Sequence, residues 1–237
     1  MFIKRGLTWK DNSLFYGRYT TRKLDIRLSM QKTKCGGILL TRSSERPLET
    51  QLNNVFTIEC GEIYLREFLI SDVDEIYAIS NEPVISKYLP DWKSTREQRL
   101  NWVVNYEIPN NKEFLKAVAE KENLESNILK LGIILKETDQ FIGWCCTGIK
   151  DELPEPNREI MYAVSEQFQN KGYATKATNG LINYLFNNTK LELLNAVALT
   201  ENQGSNKVLE KCGFSLIGNV QIDGEIYNHY HIVRKAM

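Results

Sequence analysis

The chain has 237 residues, 42% hydrophobic and 25% charged, with 30 Lys+Arg against 30 Asp+Glu. This is ordinary globular usage and excludes a disordered or low-complexity chain. No apolar run approaches the roughly 20 residues that a membrane helix needs, and Met1-Phe2-Ile3-Lys4-Arg5 is not followed by a signal-peptide core, so no membrane association and a cytoplasmic location are expected. The zero net charge averages two unlike parts: residues 1–60 hold 11 Lys+Arg against 5 Asp+Glu, and the remainder 19 against 25. A mildly acidic body suits a cationic acceptor. A basic N-terminal piece suits an acidic protein or its own acidic partner domain, with nucleic acid the less favoured partner.

In chain order, residues 1–58 read as a small β-rich extension. Leu24–Met30 alternates apolar and polar side chains, Leu14–Tyr19 and Ile38–Thr41 are plausible neighbouring strands, Gly36-Gly37 marks a turn, and Ser43–Asn54 is the linker candidate. Strands of this number and length are marginal alone, so the segment is expected to dock on the main domain, residues 59–237, or on a second subunit. A monomer and a homodimer both remain open.

From Ile63 the order becomes strand, two helices, strands, helix, strand, helix, strands. Ile63–Phe68 is the first strand. Ser71 with Asp74 opens a helix that Glu82-Pro83 interrupts, Leu89-Pro90-Asp91-Trp92 is a loop, and Thr95 caps a helix over Arg96–Tyr106 that Pro109 follows. Leu129–Lys136 and Gln140–Lys150 form a hairpin, and Asp151–Asn157 is a loop. Strands at Arg158–Val164 and Leu193–Leu199 flank a helix beginning near Ala174, a crossover that makes them parallel. The expected class is α+β, a mixed, mostly antiparallel sheet with one parallel crossover.

Gln169-Asn170-Lys171-Gly172-Tyr173-Ala174 stands between the first of those strands and the helix. A strand, a tight loop with one glycine, and a helix start with unpaired N–H groups make a place for a pyrophosphate. About 30 residues on, Glu201-Asn202-Gln203-Gly204-Ser205-Asn206-Lys207-Val208-Leu209-Glu210-Lys211-Cys212-Gly213-Phe214 opens a second helix. The first stretch resembles the (Arg/Gln)-x-x-Gly-x-(Gly/Ala) acetyl-CoA signature of the GNAT acetyltransferases. The second is similar to the Asn-x-x-Ser…Leu-x-Lys-x-Gly-Phe helix of the branch that contains ribosomal-protein N-terminal acetyltransferases. The resemblance runs from about Ile63 to the C-terminus.

The resemblance implies a GNAT-like twisted sheet whose two parallel strands splay, with acetyl-CoA between them as co-substrate. It places the pantetheine arm on the backbone of residues 160–164, including Ala163 and Val164. The pyrophosphate falls on the loop of Gln169, Lys171, Gly172, Tyr173, Ala174 and Thr175, where a side chain at position 172 would collide with it. Asn202 would contact the cofactor arm or simply cap its helix. Ser205 matches a position beside the cofactor sulfur, where a hydroxyl stabilises the leaving thiolate. Many relatives use a tyrosine there, and no Tyr occurs between Thr200 and Gly218. Lys207 would reach the adenosine phosphate.

For the base, Glu159 matches an acidic position at the start of the strand beside the cofactor, and equally reads as a strand-end carboxylate. Tyr88 and Trp92 belong to the region that walls the acceptor site in the family, and His229 lies on the last strand near the acceptor side. Cys35, Cys60, Cys145, Cys146 and Cys212 lack metal or disulfide spacing, and His229 with His231 is too few ligands for a metal, so none is expected. The expected activity is direct transfer of acetyl from acetyl-CoA to a primary amine, a peptide N-terminus being favoured over a polyamine or aminoglycoside. The alternative is a non-catalytic acyl-CoA sensor acting through its basic N-terminal part. A kinase or nucleotide hydrolase is excluded because Asn170–Thr175 lacks the Gly-x-x-x-x-Gly-Lys-(Ser/Thr) phosphate loop.

Overall fold

The structure, a computed structural model, describes residues 55–124 and 126–235. The strands expected at Leu14–Tyr19, Leu24–Met30 and Ile38–Thr41, the linker Ser43–Asn54 and Cys35 lie outside the described residues. Strand β1 (Thr57–Cys60) crosses the boundary expected at residue 58 and pairs antiparallel with β2 (Ile63–Glu67) around the turn at Gly61.

Past β2 the chain enters a helical layer. Arg66 grips Asp72 through two hydrogen bonds, of 2.6 and 2.7 Å, while Asp72 Oδ2 accepts from the Leu69 amide at 2.7 Å. That buried ion pair fixes the angle at which α1 (Val73–Ser80) leaves the sheet. Helix α1 buries Val73, Ile76 and Ile79, the one-face spacing of an amphipathic helix. Pro83 stands at the start of α2 (Pro83–Tyr88), where its missing N–H costs nothing, and a short turn over Pro90–Trp92 follows.

Helix α3 (Arg96–Trp102) starts on a capping box: Thr95 Oγ1 accepts from the Gln98 amide at 3.2 Å, and Gln98 Oε1 from the Thr95 amide at 2.8 Å. The helical path then continues beyond the end expected before Pro109. A π-helical turn over Val103–Glu107, closed by the Ile108 amide on the Val103 carbonyl, leads directly into α4 (Ile108–Ala119). Pro109 lacks the N–H that would bond the preceding turn, and the widened turn makes room for its ring.

The hairpin of β3 (Leu129–Leu135) and β4 (Gln140–Ile149), then β5 (Arg158–Val164), α5 (Tyr173–Asn188), β6 (Leu193–Leu199), α6 (Gln203–Lys211), β7 (Ser215–Ile222) and β8 (Glu225–Val233) complete the described chain. The sheet order is β1-β2-β3-β4-β5-β6-β8-β7, antiparallel throughout except between β5 and β6. One face buries Ile63, Leu65, Phe114, Leu181, Leu185 and Leu209 beneath α4, α5 and α6, and the other buries Phe68, Ile76, Trp92, Val103 and Trp144 beneath α1 to α3. Strands between two helical layers read as near-continuous apolar runs, which is the pattern of β3 and β4.

Candidate active site

Strands β5 and β6 are in parallel register at Glu159 and Asn195 and diverge beyond them. The Ser165 amide donates to the Ile142 carbonyl of β4 at 2.9 Å. Because backbone direction alternates along a strand, Ala163 turns to β4 as well, its carbonyl lying against Gly143. The backbone groups of Ile160, Tyr162 and Val164 therefore face the gap. Consistent with this, the Gln169 side chain reaches the Val164 carbonyl at 3.0 Å from the gap side. The Val164 amide therefore points into the splay and the Ala163 amide into the ladder with β4.

The gap opens into a cavity of about 550 Å³. It is lined by Glu159, Ala163, Val164, Gln169, Gly172, Tyr173, Ala174 and Thr175 from the first motif and its strand. Asn202, Ser205 and Lys207 line it from the second, and Tyr88 and Trp92 from the helical layer. Lys171 and His229 do not line it. Lys171 Nζ lies 5.2 Å from the centre of the Phe168 ring, and His229 Nε2 lies 2.9 Å from Asn195 Oδ1. Burial, with a smaller contribution from His231, pushes the His229 pKa down, so its ring is held neutral.

The loop between β5 and α5 is shaped by backbone. Asn170 and Gly172 both have positive φ, 61° and 80°, and Gly172 is the residue before the first turn of α5. No side chain caps that helix and no acidic residue sits in its first turn, so the amides of Tyr173, Ala174 and Thr175 have no intrahelical partner. A Cβ built on Gly172 meets nothing within 4 Å. This concave, N–H-lined, open mouth is what an anionic group requires. Lys176, one turn into the helix, is taken by Glu62.

At the second motif, Asn202 Oδ1 accepts from the Ser205 amide at 3.1 Å, a helix cap, while the residue also borders the cavity. Ser205 Oγ lies 2.9 Å from the Tyr162 hydroxyl. Tyr162 is a cavity residue that sequence reasoning passed over. Its place on the face shared by Ile160 and Val164 was readable from strand alternation, but its reach to a residue 43 positions away was not.

Glu159 is buried, 5% exposed, at the closed end of the splay. Trp92 is also buried, stacked on Trp144 with ring centres 4.2 Å apart and planes 10° from parallel, and its carbonyl accepts from the Arg99 guanidinium at 2.7 Å. It is both a core aromatic and a wall of the cavity. Tyr227 also lines the cavity, and after burial the influences raising its pKa are Glu225, Asp223, Asp91 and Glu152, all four on the cavity wall. Asp223-Gly224, the two-residue turn of the β7–β8 hairpin, is a sequence signal that could have pointed to this wall. Among the described residues no group of three or more His, Cys, Asp or Glu is placed to hold a metal, and no helix is long and apolar enough to cross a membrane.

The family model described as an acetyltransferase (GNAT) domain matches residues 62–215. The Bacillus subtilis (strain 168) protein named uncharacterized N-acetyltransferase YnaD is 27% identical over 156 residues, 66% of this chain and 81% of its own length. The crystal structure of the microcin C7 self-immunity acetyltransferase MccE, in complex with acetyl-CoA and AMP, has a TM-score of 0.58 at 24% identity, covering 73% of this chain and 93% of that one. The ribosomal alpha-N-protein acetyltransferase RimL has a TM-score of 0.58 at 19% identity, covering 76% and 95%. At these identities the two structures are alike in fold.

Proposed function

The chain belongs to the GNAT acetyltransferase family, and from that membership we propose that its cavity binds acetyl-CoA and passes the acetyl group directly to a primary amine. The observation that carries this reading is the splay beyond Glu159 and Asn195, with both motifs lining one cavity along it. Acetyl-CoA, when bound, supplies a thioester whose C–S bond breaks as the amine nitrogen takes the acetyl carbon, the electron pair staying on sulfur.

The residues divide the work. Backbone amides of Gly172, Tyr173, Ala174 and Thr175 hold the pyrophosphate, Gln169 keeps the end of β5 in place, and the gap-facing backbone of Ile160, Tyr162 and Val164 holds the pantetheine arm as a peptide is held on a sheet edge. The Val164 amide donates to the carbonyl oxygen as it gains charge. Glu159, roughly 16 Å of strand before Val164, takes the amine proton through water. Ser205 donates to the departing sulfur from the first turn of α6, where the helix dipole also favours negative charge. Lys207 reaches toward the adenosine phosphate. Fixing acceptor and donor side by side provides much of the acceleration.

The acceptor we propose enters past Tyr88 and Trp92 and is a peptide N-terminal amine. The likeness to RimL supports it, and an α-amino group of pKa near 8 needs only weak help to lose its proton. A second reading, a small polycation, is favoured by the carboxylates of Asp91, Asp223 and Glu225 near Tyr227, while Glu152 on the same wall is paired with Lys150 at 3.3 Å. The test is incubation with acetyl-CoA and a mixture of N-terminal peptides, polyamines and aminoglycosides, followed by mass spectrometry. Acetylation confined to peptide α-amines supports the first reading, acetylation of polycations the second, and no acetylated amine overturns both.

A further inference from the structure

Tyr162 stands on β5, and its phenol crosses the splay to the first turn of α6. The hydroxyl lies 2.9 Å from Ser205 Oγ and 3.1 Å from the Ser205 carbonyl oxygen. The Ser205 amide is held by Asn202 Oδ1 at 3.1 Å, so the turn is gripped from two directions. Burial pushes the Tyr162 pKa well above its ordinary value, so the phenol keeps its proton at neutral pH.

A serine hydroxyl has one hydrogen to give and two lone pairs to offer. If that hydrogen were spent on Tyr162, none would remain for the cofactor sulfur. The phenol's one hydrogen faces two acceptors, Ser205 Oγ at 2.9 Å and the Ser205 carbonyl oxygen at 3.1 Å, and donation to the nearer Oγ is the arrangement that leaves the serine hydrogen free for the sulfur. Hydroxyls in series polarise one another, which makes the second a better donor.

We propose that Tyr162 is a positioning residue for thiolate departure: by donating to Ser205 Oγ it fixes that hydroxyl and turns the serine hydrogen toward the sulfur. The inference rests on Ser205 being the donor to the leaving thiolate. No proton leaves Tyr162. As the C–S bond breaks, its electron pair on sulfur accepts the Ser205 hydrogen bond, and the proton released by the amine reaches sulfur later through solvent.

The test uses Tyr162→Phe, Ser205→Ala and the double variant of the full chain, with three readouts: kcat, CoA affinity by calorimetry, and the pKa of the bound CoA thiol from its ultraviolet thiolate absorbance, taken as a difference against CoA-free protein. Each single substitution is expected to lower kcat about tenfold, the worth of one charge-assisted hydrogen bond. Each should raise the bound thiol pKa by about one unit, with CoA affinity changed less than about threefold. The double variant should be no slower than Ser205→Ala alone, because the phenol then has no hydroxyl to orient.

A mere brace between β5 and α6 gives a different result. The contact from Tyr162 to the Ser205 carbonyl survives Ser205→Ala, so removing the phenol hydroxyl would cost as much in that background as in the wild type. Multiplicative losses therefore overturn the proposal. So does a Tyr162→Phe enzyme with unchanged kcat and thiol pKa beside a slow Ser205→Ala enzyme, which leaves the Ser205 reading intact. A Ser205→Ala enzyme of full activity overturns both together.

Discussion

Asn195 joins Glu159's strand to the two strands beyond it. Its amide donates to the Pro156 carbonyl at 2.7 Å and the Arg158 carbonyl at 3.3 Å, and its Oδ1 lies 2.9 Å from His229 Nε2. One side chain, 3% exposed, thus ties the start of β5 to β6 and β8 at the point where the splay closes.

Replacing Asn195 by leucine leaves buried carbonyls and the His229 ring nitrogen without their partner. The expected cost is about 2–3 kcal/mol, read as a lowered urea midpoint, together with weaker acetyl-CoA binding because the splay loses its closed end. An unchanged midpoint would contradict the role given to this residue.

Gly172→Val should raise the dissociation constant for acetyl-CoA at least about 100-fold while the protein stays folded. The left-handed backbone at φ 80° is strained for any residue with a Cβ, by about 1–2 kcal/mol, but no protein atom lies within 4 Å of that Cβ. The steric effect therefore falls on a ligand in the loop. Calorimetry and a melting curve on one sample separate the two, and full affinity in the variant would sink the assignment of the loop.

The pH dependence follows from His229. Its folded pKa lies below the unfolded value near 6.5, so the unfolded chain binds the proton more readily. The contribution of the neutral, buried ring is fully present above about pH 6.5 and is lost as pH falls through the lower folded pKa. The facing groups are Asn195 on β6 and His231 on β8 itself. Urea midpoints measured from pH 7.5 down to 5 should decline, and His229→Gln should flatten that decline; equal slopes would exclude this ring as the cause.

The carboxylates about Tyr227 predict a charge effect on acceptors. Changing Asp223→Asn and Glu225→Gln together should raise KM for a dicationic amine by about threefold to tenfold and reduce its salt sensitivity, since exposed charges act weakly and are screened by ions. An effect equal for mono- and dicationic acceptors would show that these groups do not meet the acceptor.

Much of the fold was legible in sequence because local chemistry and burial agreed. Thr95 and Gln98 announce a capping box, Glu137 to Asp139 a hairpin, and the helix between Arg158–Val164 and Leu193–Leu199 a parallel crossover. The loop at Gly172 was readable because a strand, a glycine and an uncapped helix start occur in succession. Pro109 misled because a proline stops an α-helix on local grounds, whereas the π turn before it depends on the tertiary position of Glu107, whose carboxylate meets Arg99 and Lys130 in the buried layer. The orientations of His229 and Lys171 were beyond sequence for a similar reason. Alternation gives the face of a side chain, while Asn195 and Phe168 decide where these two point.

The most direct test is release of free thiol from acetyl-CoA by the full chain across N-terminal peptides, polyamines and aminoglycosides, with cofactor affinity measured on the same preparation. Saturable, amine-dependent thiol release that is lost in Gly172→Val is the predicted result. Tight acetyl-CoA binding without turnover on any amine would contradict direct transfer at this site, and absence of binding would contradict the site itself.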